Sequence, residues 1–121
     1  MSNLIIWCLF ALYCGILEAF MFHNKIFIKH IHTYFTIFRL TVAFPLAYFN
    51  DHLPVTVLFM VLVFPFLHDG VYYYTRNILN PRIYPKKWFD YSTTSNAIVS
   101  LNIFWRLILF IFALGLVPLY L

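Results

Sequence analysis

Residues 4–22 read LIIWCLFALYCGILEAFMF, nineteen consecutive residues that carry a single charge, Glu18. A helix needs about 20 mostly apolar residues to cross the hydrocarbon core of a bilayer, so this run alone is long enough for one crossing. It has no basic segment before it and no clear small-x-small cleavage site, so it reads as a retained helix rather than a cleaved leader.

The rest of the chain repeats the theme outward from that run. His23, Asn24 and Lys25 end the first span, and the connection 23–32 mixes Ile and Phe with Lys29, His30 and His32. A second span is expected over 33–49, with Arg39 inside it and a kink at Pro45. The polar turn from Asn50 to Pro54 starts a third span over 54–75, which can run on as a wetted helix to Leu79 and carries Pro65. Asn80, Pro81 and Pro85 stop it, and the longest connection follows, to residue 96. Ser92, Thr93, Thr94 and Ser95 offer N-caps for a fourth span over 97–120. The fold class expected is therefore all-α and integral to a membrane: one polytopic domain over residues 1–121, built as a four-transmembrane-helix bundle.

Composition agrees. Of 121 residues, 64% are hydrophobic and 10% charged, which leaves too little polar surface to coat a soluble globule of this size. The net charge of +4 is spread along the chain and not gathered on a soluble face, so nucleic acid is not an expected partner. Cys8 and Cys14, six apart on one helix, cannot pair without unwinding it.

The cations set the orientation. No Lys or Arg precedes the first span and none lies in the Asn50–Pro54 turn, whereas Lys25 and Lys29 follow the first span and Arg76, Arg82, Lys86 and Lys87 follow the third. Positive residues on alternate connections are what the positive-inside rule gives for an even number of spans. Connections 23–32 and 76–96 should face the cytosol or matrix and both termini the opposite side, in a bacterial or organellar inner membrane.

Each expected span also carries one charge: Glu18, Arg39, Asp69 and Arg106, two carboxylates and two guanidiniums. The first three lie roughly 6 to 9 Å from the inner ends of their spans at 1.5 Å per residue, and the long side chain of Arg106 can reach back toward that depth. An uncompensated charge in hydrocarbon costs several kcal/mol, so the four are expected to face inward and pair with one another. Helical spacing supports polar stripes through His32, Thr36, Arg39 and Ala43; through Pro65, Asp69, Tyr73 and Arg76; and through Ser95, Asn102 and Arg106. Glu18 stands with the small Ala11 and Cys14, which let a neighbouring backbone come close. The simpler role for such a seam is helix register, and the sharper one is binding or conduction.

His68, Asp69 and Gly70 form the most site-like local cluster, with Tyr73, Arg76 and Asn102 as further polar members. His68 and Asp69 point about 100° apart on a helix, so they are adjacent without lining a single face. His23, His30, His32 and His68, with Glu18 and Asp69, are the candidate metal ligands, but none has the His-x-x-x-His or Glu-x-x-His spacing that sets two ligands on one helical face. A haem between His68 and a histidine near the start of span two is geometrically conceivable. Neither metal nor haem is the expected cofactor. No Ser-His-Asp or Cys-His set stands out, and three glycines leave no phosphate loop, so catalytic residues are not assigned.

The long connection interleaves Arg82, Lys86 and Lys87 with Trp88 and other aromatics, a composition suited to anionic lipid headgroups or to a docked partner. With no soluble domain and no catalytic set, the leading expectation is a small non-catalytic subunit or modulator that acts by association with other membrane subunits or with itself. Four short helices with a carboxylate in the first are also similar in outline to small multidrug-resistance transporters, and the length suits small fluoride channels. Those families are glycine-rich with balanced loop charge, whereas this chain has a strong charge bias and two intramembrane arginines. A transporter or channel is thus the alternative, and a membrane enzyme or redox anchor using His68, Asp69 and Glu18 a second one.

Overall fold

The structure, a computed structural model, describes residues 1–24, 30–82 and 103–120, without the side chains of His32, Ile103 and Tyr120. Among the described residues it is all-helical: α1 (Ser2–His23), α2 (Ile31–Tyr48), α3 (Leu53–Leu79) and α4 (Ile103–Leu116), with a 3-10 turn at Val117–Tyr120. Both α1 and α3 are long and apolar enough to cross a membrane, by length and composition. The expected residues 97–102 of the last span lie outside the described residues.

Helix directions follow from the side-chain pairs. Trp7 meets Met60, Gly15 meets Val71, and Phe22 meets Arg76, so α1 and α3 run parallel. Asn3 meets Leu46 while Glu18 meets Arg39, which sets α2 antiparallel to α1. Arg106 meets Tyr73 and Phe110 stacks on Phe66 at 4.4 Å, which sets α4 antiparallel to α3. The largest interface is between α1 and α3, while α2 touches each of them more sparingly.

Small side chains explain that close pair. Ala11, Cys14 and Ala19 are fully buried, and Gly15 between them has no room for a side chain. A Cβ on Gly15 would sit 2.4 Å from Val71 Cγ1 and 2.6 Å from the His68 carbonyl oxygen. Spaced by four, Ala11, Gly15 and Ala19 form the groove that admits the α3 backbone. Trp7 adds a direct tie, donating its indole N–H to the Met60 carbonyl at 3.0 Å.

The interior has two ends. At one, Leu4, Trp7, Ala47, Phe59, Met60, Val63 and Ala113 form an apolar core. Asn3 closes that end by donating to the Leu46 carbonyl at 3.2 Å, one of the last four in α2 and so without a helical partner. Asn50 Oδ1 accepts from the His52 N–H at 3.0 Å, an Asx turn that reverses the chain into α3, where Pro54 fits the first turn. At the other end lie the ionisable side chains.

The outside of the bundle is as apolar as the inside. On α1, Ile5, Leu9, Ile16 and Phe20 face out, opposite the buried stripe. On α2 and just past its end, Phe44 and Phe49 are 70% and 78% exposed. A helix that is apolar all round belongs inside a large core or in lipid.

Helix α3 runs on to Leu79, as the sequence allows, but the extension is not wetted at Arg76, which is 1% exposed. No breaker lies between Tyr74 and Leu79, and the rings of Phe22 and Tyr72 cover the guanidinium at 4.0 and 5.2 Å. At 27 residues α3 is roughly 40 Å long, about 10 Å more than the apolar core of a bilayer.

Candidate functional site

The parallel α1–α3 crossing brings Glu18 beside His68, and α2 supplies Arg39 to the same point. Glu18 Oε1 pairs with Arg39 Nη2, and Glu18 Oε2 lies 2.7 Å from His68 Nε2. The other ring nitrogen, His68 Nδ1, lies 2.8 Å from Asp69 Oδ1. Arg39 Nη2 is also 3.1 Å from His68 Nε2, so one guanidinium nitrogen faces both members of the Glu18–His68 bond. Four side chains from three helices thus form one continuous polar row: Arg39, Glu18, His68, Asp69.

Aromatic packing holds the row in place. The His68 ring stacks on Phe64 at 4.8 Å, nearly parallel, and Tyr72 continues the stack at 6.2 Å. Phe64, His68 and Tyr72 are four residues apart, so one face of α3 presents three parallel rings. The Arg39 guanidinium lies 4.8 Å from the Phe64 ring centroid, so Phe64 orients both the imidazole and the guanidinium. Burial peaks at His68, whose side chain is 9% exposed, and falls off to either side, through Glu18 at 17% to Arg39 at 25% and directly to Asp69 at 32%.

The charges compensate. With both carboxylates ionised, His68 protonated on both nitrogens and Arg39 cationic, the row sums to zero, and each ring N–H has a carboxylate to donate to. Charge is matched throughout the row, which favours its burial, while Arg39 Nε is buried with no hydrogen-bond partner among the described residues.

Of the expected charged layer, Glu18, Arg39 and Asp69 come together, joined by His68. Among the described residues Asp69 bonds to His68 and to no guanidinium. The side chains of His68 and Asp69 meet although their Cα–Cβ directions diverge around the helix. Arg106 is buried with its guanidinium 5.7 Å from the Tyr73 ring. Arg76 donates to Tyr72 Oη at 3.2 Å. The expected polar cluster of His68, Tyr73, Arg76 and Asn102 is therefore divided among different partners, and Asn102 lies outside the described residues. Thr36, placed on the inward stripe of span two, is exposed.

His23 and His30 sit at the end of α1 and the start of α2, both exposed. His30 adopts a left-handed backbone (φ 61°), and its carbonyl accepts the Thr33 and Tyr34 N–H groups, so its role is to begin α2. Among the described residues no three of His, Cys, Asp and Glu converge as a metal site would require. Arg82 is exposed in a turn, and Lys86, Lys87 and Trp88 lie outside the described residues.

Two contributors are missing from the sequence reading. Phe64 has no sequence signal beyond its four-residue spacing from His68. Gly15 has one, the Ala11, Gly15, Ala19 spacing that marks a close helix crossing.

Compared with known proteins, the chain matches no family model, and neither a curated protein nor a solved structure is significantly similar to it.

Proposed function

We propose that this chain is a four-span integral membrane protein, both termini on the non-cytosolic side, that acts by association as a small non-catalytic subunit or modulator. The observation that carries this reading is the division of the side chains: the described helices turn large apolar residues outward, while Glu18, Arg39, His68 and Asp69 bind one another. Such a surface suits acyl chains and the apolar faces of other membrane helices. The alternating helix directions support an up-down-up-down path across the bilayer, consistent with basic residues on alternate connections. Arg82, with Lys86, Lys87 and Trp88, would meet anionic headgroups or a partner on the cytosolic or matrix side of a bacterial or organellar inner membrane.

The test is extraction from the native membrane in mild detergent, followed by native sizing and mass spectrometry of what co-migrates. Co-migration with a defined larger complex is the expected result. Migration as a monomer or small homo-oligomer overturns it in favour of a small transporter or channel, the second reading, which the charged row inside the bundle favours.

A further inference from the structure

Beyond association, we infer that Asp69, His68 and Glu18 form a proton-transfer row, a binding site for one exchangeable proton whose position is read by Arg39 on α2. Three observations carry it. Both nitrogens of one imidazole face carboxylate oxygens, at 2.8 and 2.7 Å, so a proton arriving at Nδ1 can be matched by one leaving from Nε2. Asp69 is the most exposed member of the row and His68, between it and Glu18, the most buried, so water reaches the row most readily at Asp69. Arg39 Nη2 faces Glu18 and also lies 3.1 Å from His68 Nε2, the two groups between which the inner proton moves.

The transfer balances within the row. When the N–H bond at His68 Nε2 breaks and an O–H bond forms at Glu18 Oε2, the imidazolium becomes neutral and the carboxylate becomes a carboxylic acid. The row's total charge is zero before and after, so neither arrangement leaves an uncompensated charge among apolar side chains. In the first arrangement Arg39 serves the Glu18 carboxylate. In the second, His68 Nε2 is an acceptor, and the Arg39 N–H already lies within reach of it. Exchange with the outside runs through Asp69: the Nδ1–H bond of the imidazolium breaks as an O–H bond forms at Asp69 Oδ1, that proton is traded with water and returns to Nδ1, and a half-turn of the ring then brings it to the Glu18 side, the row's charge staying zero throughout. The groups that face the imidazole are Glu18 from α1, Arg39 from α2, and Asp69, Phe64 and Tyr72 from its own helix; Cys14 of α1 lies beside Arg39 and Glu18, and Arg106 of α4 meets α3 at Tyr73.

Infrared spectroscopy of the full chain in phospholipid vesicles tests this. A protonated-carboxyl C=O band, the mark of the second arrangement, is expected beside the carboxylate bands of the first, removed by Glu18→Gln and shifted on transfer to D2O. Asp69→Asn, at the exposed end, should leave the band and slow its exchange by on the order of 10². Absence of the band, its survival in E18Q, or unchanged exchange in D69N overturns the proposal. Nitrogen-15 NMR of His68 in the unsubstituted chain covers the case in which E18Q does not fold. An Nε2 signal averaged between a protonated and an unprotonated nitrogen supports the row, and an Nε2 that keeps a full, unshared N–H bond overturns it.

Discussion

Arg39 ties α2 to both of its neighbours, because one nitrogen of its guanidinium serves α1 through Glu18 and lies against α3 through His68. Replacing it by leucine keeps the bulk but leaves the Glu18 carboxylate beside an imidazole with one neighbour fewer. Breaking a buried pair from one side costs about 3 kcal/mol or more, and the partial exposure of both side chains puts this pair at the lower end. Arg39→Leu is therefore expected to lower the unfolding midpoint in a detergent titration by an amount equivalent to about 3 kcal/mol. The double variant E18L/R39L should lose clearly less than the sum of the two single variants, since it leaves no orphaned charge. Normal abundance and an unchanged midpoint in R39L would show that the row is not a packing device. His68→Phe separates packing from charge in the same way. Stacking on Phe64 can persist, while both carboxylates lose their partner on the ring.

Helix α1 works as a wedge whose thin edge is Ala11, Gly15 and Ala19, and the row can form only because that edge lets α3 approach. Gly15→Ala puts a methyl within 2.4 Å of Val71 Cγ1 and 2.6 Å of a backbone oxygen, and the backbone cannot yield cheaply. Overpacking of this kind costs about 1–3 kcal/mol, read as a lower thermal midpoint in detergent and a lengthened Glu18–His68 contact. Gly115 is the control: a Cβ there meets nothing within 4 Å, so Gly115→Ala should be neutral or stabilise by up to about 1 kcal/mol. Trp7→Phe removes one buried indole hydrogen bond at the far end of the same interface and should cost about 1 kcal/mol. These elements differ in how far the sequence discloses them. The inward turn of Glu18 and Arg39 is legible, because charges inside apolar spans have few other places to go. The His68–Glu18 bond is not, since it depends on α1 and α3 being parallel neighbours, and no local pattern says which helices touch. The end of α3 at Leu79 is legible, but the burial of Arg76 in its last turn is not, since it depends on Phe22 of α1 supplying an aromatic cover.

At the scale of the whole chain, the question is which side of a bilayer each end of the bundle meets, and the two ends differ in kind. The end holding the Asn50–His52 turn has an apolar core and no Lys or Arg among its described residues, whereas the opposite end carries the polar row, the buried Arg76 and the exposed Arg82. Burial of Arg76 removes it from the cations free to meet headgroups, so the orientation rests on Lys25 and Lys29 in one connection and on Arg82, Lys86 and Lys87 in the other. That still leaves every freely placed cation on one side, which predicts opposite accessibility for two exposed turn residues. In a chain with the half-buried Cys8 and the buried Cys14 replaced by alanine, Asp51→Cys should react with a membrane-impermeant maleimide from the non-cytosolic side of intact cells or organelles. Arg82→Cys should react only after the membrane is opened. Labelling of both from the same side would mean that α3 does not cross, and with it the four-span arrangement would fail. Labelling of each from the reverse side would keep the crossings and invert the chain. That outcome would separate the helix packing, which sets only relative directions, from the loop cations, which set the absolute one.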